Sequence, residues 1–140
     1  MLSSKTQYAC LAMMHLAGEY DSGEPVQVCR IAERHGISQT FLVQIMHELK
    51  RAGLVSSTRG ANGGYRLQSK PDRVTLAEVV DLFEPLQLPE ACAAPESPFA
   101  PAVLELCCEL QSSLRERLKG TTLSDLAESA TASGPPMWYI

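Results

Sequence analysis

The chain has 140 residues, of which 45% are hydrophobic, 20% charged and 6% aromatic; that suffices for one ordinary core and excludes wholesale disorder. No run of 18 apolar residues exists to span a membrane, no signal peptide is expected at Met1–Lys5, and five irregularly spaced cysteines do not make a disulfide framework, so a cytoplasmic protein is expected. The formal net charge of −4 hides a split: residues 1–73 hold nine Lys/Arg against six Asp/Glu, and residues 74–140 three against ten, so the front half keeps a surface suited to phosphates.

Tyr8, Leu11, Ala12 and Leu16 recur at helical spacing and predict a first helix ending near Glu19–Gly23. Gly23-Glu-Pro breaks the chain, and a second helix is expected from about Val26 to His35. After Gly36, Ser38 is placed to cap a third helix through about Arg51, with Phe41, Leu42, Ile45 and Leu49 turned inward and Gly53 suited to a left-handed end. Leu54–Thr58 and Tyr65-Arg-Leu are β-capable and flank Arg59-Gly-Ala-Asn-Gly-Gly, the pattern of a hairpin with a glycine-rich tip. A fourth helix starts at the capping box Thr75-x-x-Glu78 and presents Leu76, Val79, Val80 and Phe83. Residues 84–102 hold five of the nine prolines and predict an irregular loop, a candidate hinge or sensor segment. A long helix from about 102 to Lys119 follows, then a short one over Leu123–Ser129 and a mobile tail at 130–140.

Three helices and a hairpin are the order of a winged helix-turn-helix. Small Ala32 lets two helices approach, and Gly36 four residues later permits the reversal between them. The outward face of the third helix carries Gln39, Thr40, Val43, Gln44, His47 and Lys50 with one nearby acid, Glu48. Such side chains read base edges or contact phosphates when a helix enters a major groove; Ser38 at its start belongs to the same set. At the hairpin tip, Arg59 is suited to a minor groove. The amides of Gly60, Gly63 and Gly64, beside Tyr65, are suited to close approach to phosphate.

The motifs Tyr8-Ala-x-x-Ala12, Ile31-Ala-Glu33, Gly36-Ile-Ser38, Phe41-Leu-x-Gln44-Ile, Leu49-x-x-Ala-Gly-Leu-Val55 and Ser57-x-Arg-Gly-x-x-Gly-Gly-Tyr-x-Leu67 together resemble the Rrf-type regulators. These are winged-helix dimers that include the bacterial iron–sulfur-cluster, nitric-oxide-responsive and cysteine-metabolism repressors. The resemblance covers about residues 1–84 closely and the later elements more loosely. It implies a mainly α fold with a small β-hairpin, a winged helix-turn-helix over 1–83 and a dimerisation unit over 103–129. It further implies a homodimer, a repressor, reading double-stranded DNA of two-fold symmetry, with no membrane partner.

Cluster-sensing relatives place three cysteines in the loop before the dimerisation helix. Here that loop offers Cys92 alone, the third position falls near Pro101, and Cys107 and Cys108 lie on the helix itself. Two readings stand. In one, Cys107 belongs to a dimer stripe of Leu104, Cys107, Gln111, Leu114 and Leu118, while Cys10 and Cys29 are buried on apolar faces. In the other, Cys92, Cys107 and Cys108 form a thiol-redox or metal set, although adjacent helical cysteines diverge by about 100° and Glu90, Glu105 and Glu109 would raise their pKa. An iron–sulfur cluster is therefore disfavoured, no cofactor is expected, and the effector, small molecule or protein, is left open. No catalytic constellation or Lys-Ser/Thr phosphate loop is present, so an enzyme is not expected. The rival class is a winged-helix protein-interaction module without DNA binding.

Overall fold

A computed structural model describes residues 2–85 and 87–133. Six helices and one hairpin follow in the order α1 (Ser4–Gly18), α2 (Val28–His35), α3 (Gln39–Arg51), β1 (Val55–Thr58), β2 (Gly64–Leu67), α4 (Leu76–Phe83), α5 (Ala100–Lys119) and α6 (Leu123–Ser133), with 3-10 turns at Tyr20–Ser22 and Pro71–Arg73. This is the expected mainly α architecture with a small β-hairpin.

Local chemistry explains most boundaries. Ser3 caps α1 by accepting from the Thr6 amide at 3.3 Å, and Ser38 caps α3 by accepting from the Phe41 amide at 3.5 Å. Thr75 and Glu78 close a reciprocal capping box on α4, and Thr122 and Asp125 exchange bonds of 3.0 and 3.1 Å at the start of α6. Gly36 ends α2 at φ 66°, a left-handed turn that a side chain would strain.

Three expected boundaries are corrected. Val26 is not helical: it exchanges backbone bonds with Tyr65, at 2.9 and 2.8 Å, as an isolated bridge beside the hairpin, and α2 begins at Val28. The long helix starts at Ala100, with Pro101 in its first turn, where a missing N–H removes no helical bond. The last helix runs on to Ser133, Thr131 Oγ1 donating to the Ala127 carbonyl at 3.0 Å, so 130–133 is not a tail. The rest of that expected tail, 134–140, lies outside the described residues.

The core forms where α1, α2, α3, β1, β2 and α4 converge. Met13, Ile31, Leu42, Ile45, Met46, Leu49 and Val79 are wholly buried, and Leu123 joins them from the start of α6. Backbone bonds from Leu76 to Thr121 at 2.8 Å and from Leu123 to Val74 at 2.9 Å bring α6 back to the base of α4. Helix α5 packs on α4, yet within it only Ala100 is buried.

Candidate nucleic-acid interface

Four positions on α3, Leu42, Ile45, Met46 and Leu49, are buried and fix the helix in the core. The opposite side, with Ser38, Gln39, Thr40, Gln44, His47 and Lys50, is exposed as the sequence predicted. Arg51, at the end of the helix, is exposed too and lines a shallow groove with Gln44, His47, Glu48 and Leu82 of α4. Its signal was present: Gln44, His47 and Arg51 are three and four apart. Glu48, the one acid of α3, is half-buried and turned to α1, where its carboxylate meets Lys5 Nζ at 2.6 Å. Lys5 also lies 5.4 Å from the centre of the Phe83 ring. The exposed face of α3 therefore carries hydrogen-bonding and cationic groups and no free carboxylate.

The hairpin pairs Val55 with Leu67 and Thr58 with Gly64, leaving Arg59–Asn62 as an exposed tip. Its glycines have different jobs, and one expectation is corrected: the Gly63 amide is spent inside the tip and does not face phosphate. Gly60, at φ 106° with open space where a Cβ would stand, remains free to approach a partner. Gly63 is buried and donates its own N–H to the Gly60 carbonyl at 3.0 Å; a Cβ there would lie 2.2 Å from the Thr58 carbonyl oxygen. Gly64 lets the strand lie against residue 26, since its Cβ would stand 2.4 Å from the Val26 carbonyl oxygen. Tyr65 is half-buried against the core, and burial pushes its phenol pKa up.

The predicted dimer stripe is split between two sides of α5. Leu104, Gln111 and Leu118 are half-buried, whereas Cys107 and Leu114 are exposed. With the latter two stand Val103, Leu106 and Leu110, the last 61% exposed, and Phe99, 75% exposed, precedes them. Near the far end of α5 an apolar cleft of about 670 Å³ is lined by Cys10, Leu11 and Met14 of α1, Val80 of α4, and Leu118 and Leu126.

The cysteines are dispersed. Cys92 and Cys108 are half-buried and Cys107 exposed, all as free thiols. Cys10 and Cys29 are half-buried rather than buried; burial and the charge of Glu84 push the Cys10 thiol up to about 11. Among the described residues no three His, Cys, Asp or Glu side chains gather as a metal site requires. One loop thiol and two divergent helical thiols do not fit a cluster held by three cysteines.

His15 and His35 are brought together although no spacing linked them. Nδ1 of His15 lies 2.9 Å from Nε2 of His35, the rings edge to face at 5.1 Å. Burial first, then the charge of the partner imidazole, lowers the His15 pKa; burial and then Arg34 lower that of His35. The pair joins α1 to the last residue before the helix-turn-helix reversal.

A family model described as "Rrf2: Iron-dependent Transcriptional regulator" matches residues 2–129. The chain is 36% identical over 127 residues to the HTH-type transcriptional regulator CymR of Bacillus subtilis, covering 90% of this chain and 88% of that protein. To the HTH-type transcriptional regulator IscR of Aliivibrio salmonicida it is 46% identical over 83 residues, 59% of this chain and 49% of the relative. The solved structure of B. subtilis CymR, the global cysteine regulator, superposes with a TM-score of 0.81 at 34% identity, covering 92% of this chain and 97% of that one. That of T. potens IscR superposes at 0.79 and 29% identity, covering 99% and 94%. No helix among the described residues is long and apolar enough to cross a membrane.

Proposed function

The chain belongs to the Rrf2 family of transcriptional regulators, and on that premise we propose that it acts in the cytoplasm as a homodimeric repressor on an operator of two-fold symmetry. In this reading α3 enters the major groove with Gln39, Thr40, Gln44 and His47 toward base edges and Lys50 and Arg51 toward phosphates. The wing carries Arg59 to the adjacent minor groove, with Gly60 at the backbone. One observation carries it: the one acid bordering the exposed side of α3, Glu48, is paired with Lys5, so that side offers no free carboxylate. A solvated helix face would mix carboxylates with its cations.

The exposed stripe Val103, Leu106, Cys107, Leu110 and Leu114 supports dimerisation through α5, because an apolar face of that length is covered in a soluble protein. The scattered thiols support regulation without a three-cysteine cluster. Iron content and visible absorption of protein purified without oxygen test that part: a colourless, iron-free protein is expected, and about two irons per chain, lost on Cys92→Ala, would refute it.

DNA reading is tested by titrating the protein against its own promoter fragment at several salt concentrations. Log affinity should fall linearly with log salt as phosphate contacts release counterions. No retention of the fragment even at low salt would leave a protein-interaction module as the better account.

A further inference from the structure

The residue just before α2 does not cap it. Gln27 occupies the N-cap, where Ser, Thr, Asp or Asn satisfies the free amides of the first turn, and its side chain makes no such bond. Instead its Nε2 donates to the Ala61 carbonyl at 2.9 Å, in the tip of the wing 34 residues away. Its Oε1 accepts from Cys29 Sγ at 3.5 Å, which holds the amide the right way round for that donation.

The neighbouring contacts show what this bond adds. Val26 and Tyr65 exchange two backbone bonds, and Gly64 lies against the Val26 carbonyl, so the base of the wing is pinned through main chain alone. Beyond that bridge lies the exposed tip: Arg59 and Gly60, at φ 106°, then Ala61 and Asn62. Gln27 reaches the tip from the helix that leads into the turn before α3. Glu24, Pro25, Gln27 and Arg30 on one side and Ala61, Asn62 and Gly63 on the other line the cleft that the bond spans.

We propose that Gln27 is a positioning residue that ties the wing tip to the helix-turn-helix, setting where Arg59 lies relative to α3, at the expense of capping its own helix. The inference rests on the DNA-reading role proposed above. It predicts that stability and operator affinity respond oppositely to one substitution. In Gln27→Ser the new side chain caps α2 better but is too short to reach Ala61.

Wild type, Gln27→Ser, Arg59→Ala and the double variant are compared by thermal melting and by anisotropy titration on the promoter fragment. Gln27→Ser should melt at the same temperature or higher and bind about fivefold more weakly, the value of one hydrogen bond. Hydroxyl-radical protection should fade in the minor groove under the wing, while dimethyl sulfate protection in the major groove persists. In the Arg59→Ala background Gln27→Ser should cost nothing further. A full additional loss there, or a lowered melting temperature, would make Gln27 merely structural and overturn the inference. So would wild-type affinity of Gln27→Ser alongside a weakened Arg59→Ala. If Arg59→Ala itself binds as wild type does, or if the wild type does not bind the fragment, the proposed wing docking fails first and the inference falls with it.

Discussion

The winged domain and helix α5 contain apolar residues in similar measure and use them in opposite ways. In α3 the apolar positions Leu42, Ile45, Met46 and Leu49 are wholly buried inside the chain's own core. In α5 the corresponding stripe, Val103, Leu106, Leu110 and Leu114, faces solvent. Helix α3 is covered by its own domain; α5 is left with an apolar face in solvent, which the proposed dimer would cover. On the proposed function, folding and assembly are carried by different residues, and substitutions should separate them.

The sharpest separation comes from α5. Leu110→Glu enters a homodimer twice, and at about 2 kcal/mol per buried copy it raises the dimer dissociation constant roughly a thousandfold. The monomer should keep its helical spectrum and its melting profile. Sedimentation at graded concentrations checks this; a variant that remains a dimer would move the interface away from α5. The reverse behaviour is expected of Ile45→Ala, which empties a fully buried site on α3. Chemical denaturation should show a loss of about 3 kcal/mol, while the fraction that stays folded associates as the wild type does.

A smaller effect distinguishes the two sides of α3 itself. Gln44→Ala lies on the exposed side and should leave stability unchanged. It should weaken the cognate operator by about 1–3 kcal/mol and relax discrimination at one base pair. Equal weakening on random DNA would show that Gln44 contacts phosphate rather than a base.

The smallest expected effect is a pH dependence confined to the winged domain. His15 and His35 both titrate below their ordinary value, about 6.5 in an unfolded chain. The unfolded state therefore binds more protons once pH falls below about 6.5, and stability declines from there toward the lowered folded values. Above that pH the contribution is constant. Glu19 favours protonation of His15, while Arg30 and Arg34 oppose it. Melting temperatures between pH 7.5 and 5 should fall in the wild type and fall less steeply in His15→Gln, where the burial of His35 and its Arg34 neighbour remain; an identical slope in both would sink the assignment.

Much of this was legible in the residues. The turn at Gly36, the caps Ser38 and Thr75, the hairpin around Arg59–Gly64 and the exposed polar row on α3 are local patterns, each decided within a few positions of chain. The motifs from Tyr8 to Leu67 carry the family's pattern within the residues themselves. What the residues misjudged was long-range. Val26 read as the start of a helix because its partner, Tyr65, is 39 positions away. Gly63 read as phosphate-facing, although its amide is taken by the Gly60 carbonyl, because glycine records the need for space but not what fills it.

Helix α5 shows the same division most clearly. Its apolar residues could be arranged into a stripe through Leu104, Cys107 and Leu118, or into one through Val103, Leu110 and Leu114, because adjacent positions differ by only about 100° around the axis. Sequence periodicity determines that such stripes exist. The packing of α4 against α5 decides that Cys108 is sheltered and Cys107 exposed. The meeting of His15 with His35 and the reach of Gln27 to Ala61 are likewise decided only in three dimensions. Local backbone preference is written within a turn or two of chain, whereas the face a helix covers depends on where every other element comes to rest.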